Sequence, residues 1–167
     1  MIGEVKLASG RTAPYYIDAR RAVLLPELFR ALGELVAGEA DRVGATAVGG
    51  PATAAIPVAC AAVGASETLK GFFVRKERKE HGLQRSIEGP AIASRERVLV
   101  VEDVVTTGGS LIEAIERVRE EEIGIAGALA VVDRLAGGAE AIERALDGAP
   151  YRALFTIDDL YPHRPDK

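Results

Sequence analysis

The chain has 167 residues, 48% of them hydrophobic, and a formal net charge of -4 at pH 7. That length suits one domain with a real core, so residues 1–167 read as a single domain, and the acidic balance argues against a nucleic-acid binder working through a broad basic surface. A single cysteine excludes an intrachain disulfide, and neither a CxxC pair nor a His-rich tract offers a metal site.

No stretch reaches the ~18 apolar residues of a membrane span, and the opening MIGEVKLASGR lacks a signal peptide's apolar centre. A cytoplasmic protein with no membrane partner is the expectation. Taken in chain order, the first strong pattern is PELFRALGELVAGEADRV (26–43), a helix with Leu28, Leu32, Leu35 and Val36 on one face. TAVGG (46–50) ends a short strand before PATAAIPVACAAV (51–63), whose small and apolar residues suit a helix packed closely on a sheet. Within it Cys60 reads as a small core residue. LKGFFVRK (69–76) reads as a strand running into a charged loop. RVLVVEDV (97–104) is a strand without polar alternation, as expected when both faces are covered, and SLIEAIERVREEE (110–122) carries Leu111, Ile112, Ile115 and Val118 at helical spacing. IAGALAVVDR (125–134) gives another buried strand, GGAEAIERAL (137–146) a helix and YRALFTI (151–157) a last strand. The alternation predicts an α/β fold, a mostly parallel central sheet flanked by helices on both faces.

The stretch VLVVEDVVTTGGS (98–110) carries the chemistry. In open parallel sheets ligands bind beyond the carboxyl ends of the strands, where loops and helix N-termini gather. Glu102 and Asp103 stand at such an end. Behind them TTGGS precedes a helix, so backbone N–H groups and the helix's positive end can wrap an anion, with Thr106, Thr107 and Ser110 adding hydroxyls. Such a site wants a phosphate beside groups that donate hydrogen bonds to carboxylates, and a sugar phosphate fits. A TTGGS alone would be a polar turn with a helix cap; two acids after an apolar run, then this loop and an amphipathic helix, make the binding reading the stronger one. The GxxxxGK[ST] of a P-loop is missing, as is a GxGxxG after a strand.

VLVVEDVVTTGGS resembles the phosphoribosyl-pyrophosphate (PRPP) binding motif of the type I phosphoribosyltransferases. Within them the chain is most similar to the orotate phosphoribosyltransferases, through LASGRTAPYYIDAR near the start, RKERKEHGLQRSIEG in the middle and VVDR at 131–134. The resemblance implies the type I phosphoribosyltransferase fold with a reduced N-terminal hood, and Mg2+-dependent transfer of phosphoribose from PRPP to orotate, giving orotidine 5'-monophosphate and pyrophosphate in pyrimidine biosynthesis. It implies that Glu102 and Asp103 bind the ribose hydroxyls, and that Val104, Val105, Thr106, Thr107, Gly108, Gly109 and Ser110 cradle the 5-phosphate. Arg75, Lys76, Lys79 and His81 match the catalytic loop that closes over the pyrophosphate, with Lys79 joining Glu102 and Asp103 in catalysis. That loop, 75–89, is often shared across the subunits of a homodimer. Arg134 matches the residue that pairs with the orotate carboxylate, Thr106 is expected near the base, Tyr15 and Tyr16 match the aromatic pair beside the ring, and 50–55 stands where the family has its pyrophosphate loop. The metal is expected through PRPP and water, with no direct protein ligand.

The reaction gives these residues reasons of their own. Displacing pyrophosphate from an anomeric carbon leaves negative charge on the leaving group, which movable cations and a magnesium ion stabilise. RKERKEH supplies such cations, unless it is a solvated surface loop balanced by Glu77 and Glu80. Arg134 follows a strand end where its guanidinium could take a carboxylate through two parallel hydrogen bonds, or pair with Asp133 or a helix neighbour. Consecutive tyrosines can equally place one ring in the core and one outside. Ala8 and Ala54 stand where some members of the family carry lysines, leaving Arg11 or Lys70 to supply the charge; His163 reads as a surface residue. A transferase for another base, or a non-catalytic PRPP sensor, would keep the same loop.

Overall fold

The computed structural model describes residues 2–6, 12–75 and 86–165, with side chains described from Tyr15 onward. β1 (Ile2–Lys6) and β2 (Thr12–Tyr15) form a two-stranded antiparallel sheet. The chain then passes through α1 (Arg20–Val23) and α2 (Pro26–Val43) into a six-stranded sheet. That sheet takes β3 (Ala47–Pro51), β4 (Lys70–Val74), β5 (Ile87–Glu88), β6 (Arg97–Val105), β7 (Gly124–Asp133) and β8 (Tyr151–Thr156). The remaining helices are α3 (Ile56–Gly64), α4 (Gly109–Glu120), α5 (Gly138–Leu146) and the short α6 (Ile157–Leu160).

The strand order is β5-β4-β3-β6-β7-β8, parallel except where β5 runs against β4. From the central pair, β3 is followed outward by β4 and β6 by β7 and β8, so the order reverses between β3 and β6. A crevice therefore opens at their carboxyl ends. β6 shows why its sequence lacks polar alternation. Leu99 and Val101 pack with Val36, Val58 and Ala62 of α2 and α3 on one face, while Val98 and Val100 pack with Leu111, Ile115 and Ile142 of α4 and α5 on the other.

Two predictions about helix faces are corrected. α2 begins with Pro26 in its first turn and ends at Gly44 in the left-handed conformation (φ 70°), as its sequence suggests. Its buried stripe, however, is Leu32, Gly33, Val36, Ala37 and Ala40, and Leu28 and Leu35 are 46% and 51% exposed. The cause is α3, which crosses so closely that a Cβ at Gly33 would collide with the Ala61 carbonyl oxygen; small residues hold that contact and the two leucines turn outward. Likewise Cys60 is exposed rather than in the core, because α3 buries Val58, Ala59, Ala61 and Ala62 instead. α3 also starts later than predicted: Pro51 closes β3 and 52–55 form a turn.

Candidate active site

β6 delivers its acids to the crevice and stops at Val105; the turn 106–108 leads straight into α4. This geometry needs Gly108, which has φ 81° and lies so near α5 that a Cβ would meet the Ile142 side chain at 2.9 Å. No described side chain caps α4 and no acid occupies its first turn, so among the described residues its positive end is not met by a side-chain cap or an acid of its own first turn. A cavity of about 210 Å3 results, lined by Glu102, Val104, Val105, Thr106, Thr107, Gly108, Gly109 and Ser110. The predicted phosphate cradle is therefore one continuous concave surface with Glu102 at its edge.

The two acids separate, as neighbours on a strand must. Both are buried, Glu102 at 6% and Asp103 at 9% exposure, but only Glu102 lines the cavity. Asp103 Oδ1 accepts the Val104 N–H at 2.7 Å. Burial pushes the Asp103 carboxyl up from its usual range; the Val104 N–H and the charge of Arg20 oppose this, and Asp18 adds to it. Asp18 and Arg20 thus belong to the surroundings of Asp103, a role the sequence reading missed. The available signal was an acid and a base two residues apart, directly after the tyrosine pair.

On the other side of the cradle, Arg134 N–H donates to the Val105 carbonyl at 2.9 Å, fixing the end of β7 to that of β6. The guanidinium carbon lies 5.0 Å from the centroid of the Tyr15 ring, which meets Tyr161 edge to face at 5.7 Å. An ion pair with Asp133 is ruled out by geometry. Asp133, 2% exposed, accepts the Leu135 N–H through Oδ1 at 2.7 Å and the Tyr151 hydroxyl through Oδ2 at 2.9 Å. Arg134 Nε is left buried with no hydrogen-bond partner among the described residues. Of the two tyrosines, Tyr15 is buried at 3% and Tyr16 is half-buried, so one ring does go inward, yet its neighbour there is Arg134. Tyr161, to which the sequence reading gave no role, lines a groove of about 270 Å3 with both tyrosines.

Arg75 closes the far side of the crevice. It shares a cavity of about 190 Å3 with Pro51 and Ser110, next to the phosphate cradle, and pairs with Glu88 at 3.4 Å. Gly50, ahead of the 52–55 turn, lies so close to β6 that a Cβ would collide with the Val101 carbonyl oxygen. Lys76, Lys79, His81 and Arg11 lie outside the described residues. Lys70 cannot serve pyrophosphate. It begins β4, at the sheet end opposite the crevice, and its ammonium donates to both Glu96 oxygens at 2.9 and 2.8 Å and to the Ala91 carbonyl at 3.1 Å. His163 is exposed, as expected. Among the described residues no three His, Cys, Asp or Glu side chains gather to hold a metal, and no helix is long and apolar enough to cross a membrane.

The family model of the phosphoribosyl transferase domain matches residues 26–149. An orotate phosphoribosyltransferase from Corynebacterium glutamicum (strain R) is 45% identical over 159 residues, covering 95% of this chain and 85% of that protein. The chain belongs to the orotate phosphoribosyltransferase family. Among solved orotate phosphoribosyltransferases, the Mycobacterium tuberculosis H37Rv enzyme in complex with Fe(III) dicitrate superimposes with a TM-score of 0.84 at 41% identity, over 95% of this chain and 90% of the other. The same enzyme in complex with PRPP gives 0.77 at 37% identity, over 87% and 82%. The six-stranded sheet and its flanking helices are the type I phosphoribosyltransferase fold, and Glu102 with residues 104–110 lines the cavity at the end of β6.

Proposed function

We infer that this chain transfers phosphoribose from PRPP to orotate, giving orotidine 5'-monophosphate and pyrophosphate in pyrimidine biosynthesis. The observation that carries the choice of base is Arg134: a guanidinium held over Tyr15, with a buried Nε that has no partner among the described residues, beside a phosphate cradle. A carboxylated ring seated there satisfies the orphan donor and also pairs the guanidinium charge, whereas an uncharged base offers at best a neutral carbonyl acceptor.

The cradle from Thr106 to Ser110 holds the 5-phosphate, Glu102 and Asp103 accept from the ribose hydroxyls, and Thr106 extends toward the base. The bond from the anomeric carbon to the pyrophosphate oxygen breaks with its electron pair leaving on pyrophosphate, and a ring nitrogen of orotate forms the new bond as its N–H proton passes to the leaving pyrophosphate or to water. Carboxylates close to the ribose favour the positive charge that develops on it. Arg75, with Lys76, Lys79 and His81, meets the negative charge on the leaving group, and Lys79 acts chiefly in the transition state. Magnesium fits the donor chemistry: two buried carboxylates at one strand end offer hard oxygens without a closed protein cage, so PRPP oxygens and water would hold the ion, with Glu102 and Asp103 behind them. Bound there it would neutralise phosphate charge.

Residues 1–167 act in this reading as one domain, within a homodimer that shares the segment 75–89 between subunits. Leu24, Leu25, Leu28 and Leu35, 46% to 62% exposed, are apolar surface of the kind a second copy covers. A cytoplasmic location is part of the same proposal, and the absence of any cysteine pair suits a reducing compartment. The test is consumption of orotate with PRPP and Mg2+, run beside adenine, hypoxanthine and uracil. Turnover of orotate alone is expected, and preference for any of the other three would overturn the assignment.

A further inference from the structure

The ring beneath Arg134 has to be held from outside its own strand. Tyr15 ends β2, and β1 and β2 form a small sheet that, among the described residues, pairs with no strand of the six-stranded one. Backbone pairing with the main sheet therefore does not fix where the ring lies. Yet Tyr15 is only 3% exposed, so side-chain packing sets its place. Its ring meets the Arg134 guanidinium, 5.0 Å from the centroid, and the Tyr161 ring, edge to face at 5.7 Å with an interplanar angle of 87°.

Tyr161 reaches Tyr15 from the strand next to that of Arg134. β8 lies beside β7, and its last residue, Thr156, is paired with Asp133, the residue before Arg134. From there the chain turns through α6 to Tyr161, and the turn is tied down on both sides. Thr156 and Asp159 form a reciprocal capping box, Ile157 is 1% exposed, and the Tyr161 N–H donates to the Ile157 carbonyl at 2.7 Å. Beyond it, the Arg164 N–H donates to the Tyr161 carbonyl at 3.2 Å, and the Arg164 guanidinium pairs with Asp158. With Ile157 and Leu160, Tyr161 walls a groove that Tyr15, Tyr16, Ile17 and Asp18 also line. Two neighbouring strand ends thus supply both groups that meet the Tyr15 ring, the cation from β7 and the aromatic edge contact from beyond β8.

We propose that Tyr161 is a positioning residue of the base subsite: it holds the Tyr15 ring against Arg134, so that ring and guanidinium meet the base as one preformed surface. It acts through Tyr15. The inference rests on Arg134 and Tyr15 receiving orotate.

Steady-state kinetics with orotate and PRPP varied in turn, Mg2+ present, tests it. Tyr161→Leu keeps apolar bulk but removes the flat ring, and it should raise KM for orotate about three- to tenfold while KM for PRPP changes less than about twofold. Tyr161→Phe retains the ring contact and should stay within about twofold of wild type for both substrates. In a Tyr15→Leu background, Tyr161→Leu should add less than about twofold to the orotate KM, because the ring it holds is gone. Unchanged orotate KM in Tyr161→Leu, equal rises in both KM values, a Tyr161→Phe chain as impaired as Tyr161→Leu, or a full further rise in the Tyr15→Leu background would each overturn the proposal. An Arg134→Gln chain with unchanged orotate KM would instead overturn the base assignment beneath it, and the proposal with it.

Discussion

The Tyr151 hydroxyl and the Asp133 carboxylate bond at the end of β7, one residue before Arg134. Asp133 is buried and saturated, its oxygens taken by the Leu135 N–H and the Tyr151 hydroxyl, and the next residue in the chain is Arg134. Burial, then the Asp133 bond and charge, push the Tyr151 phenol far above its usual range, so it remains a donor at every working pH. Tyr151→Phe removes that donor and leaves a buried carboxylate oxygen unpaired, which costs about 1–3 kcal/mol. The expected result is a lower urea midpoint together with a raised KM for orotate, while the KM for PRPP stays near wild type. If orotate KM does not move, the strand end does not depend on this bond.

At the scale of elements, the sheet is closed at the end away from the crevice by Lys70 at the start of β4 and Glu96 just ahead of β6. The Lys70 hydrogen bonds, then the Ala93 N–H, draw the Glu96 carboxyl down from 4.5 to about 2. A carboxyl with a depressed pKa stabilises the fold above its ordinary value, and that contribution disappears as the pH falls toward 2. Lys70→Met should therefore be less stable than wild type at pH 6, with the gap closing between pH 4.5 and 2 in urea unfolding. A gap independent of pH would mean that lost packing of the lysine stem, not the charge pair, separates the two proteins. A second tie is Glu39 of α2, which reaches β8 through Arg152 at 3.0 Å and pairs within its own helix with Arg42 at 2.6 Å, and the Arg42 bond foremost lowers its carboxyl. It explains why an acid sits in the buried stripe of that helix.

For the whole molecule, the decisive question is whether the segment 75–89 serves its own subunit or the neighbouring one. Lys79→Ala and Asp103→Asn should each be nearly inactive alone. In an equal mixture allowed to exchange subunits, a shared segment gives each mixed dimer one intact site, so activity should return to about a quarter of wild type. A mixture as inactive as its components would show that each subunit completes its own site. The four exposed leucines of the α1–α2 region mark the surface to follow in the same samples, by loss of exchange on charge substitution.

Local pattern determined much of this protein. An apolar run with no polar alternation is what a strand covered on both faces needs, and β6 is such a strand; two acids followed by Thr-Thr-Gly-Gly-Ser ahead of a helical repeat predict a loop at a strand end that can wrap an anion, and a cavity lined by Glu102 and residues 104–110 stands there. What tertiary structure decided is which side and which end each residue occupies. Leu28 and Leu35 have the spacing of a buried face, but the close approach of α3 at Gly33 turned them outward. Lys70 looked available to the substrate, but strand direction put it at the far end with Glu96. Arg134 met Tyr15 across 119 positions of the sequence, because elements far apart in the chain were packed together. Periodicity depends on neighbours a few residues away and is written in the chain; facing and proximity depend on how the elements pack, which no local window contains.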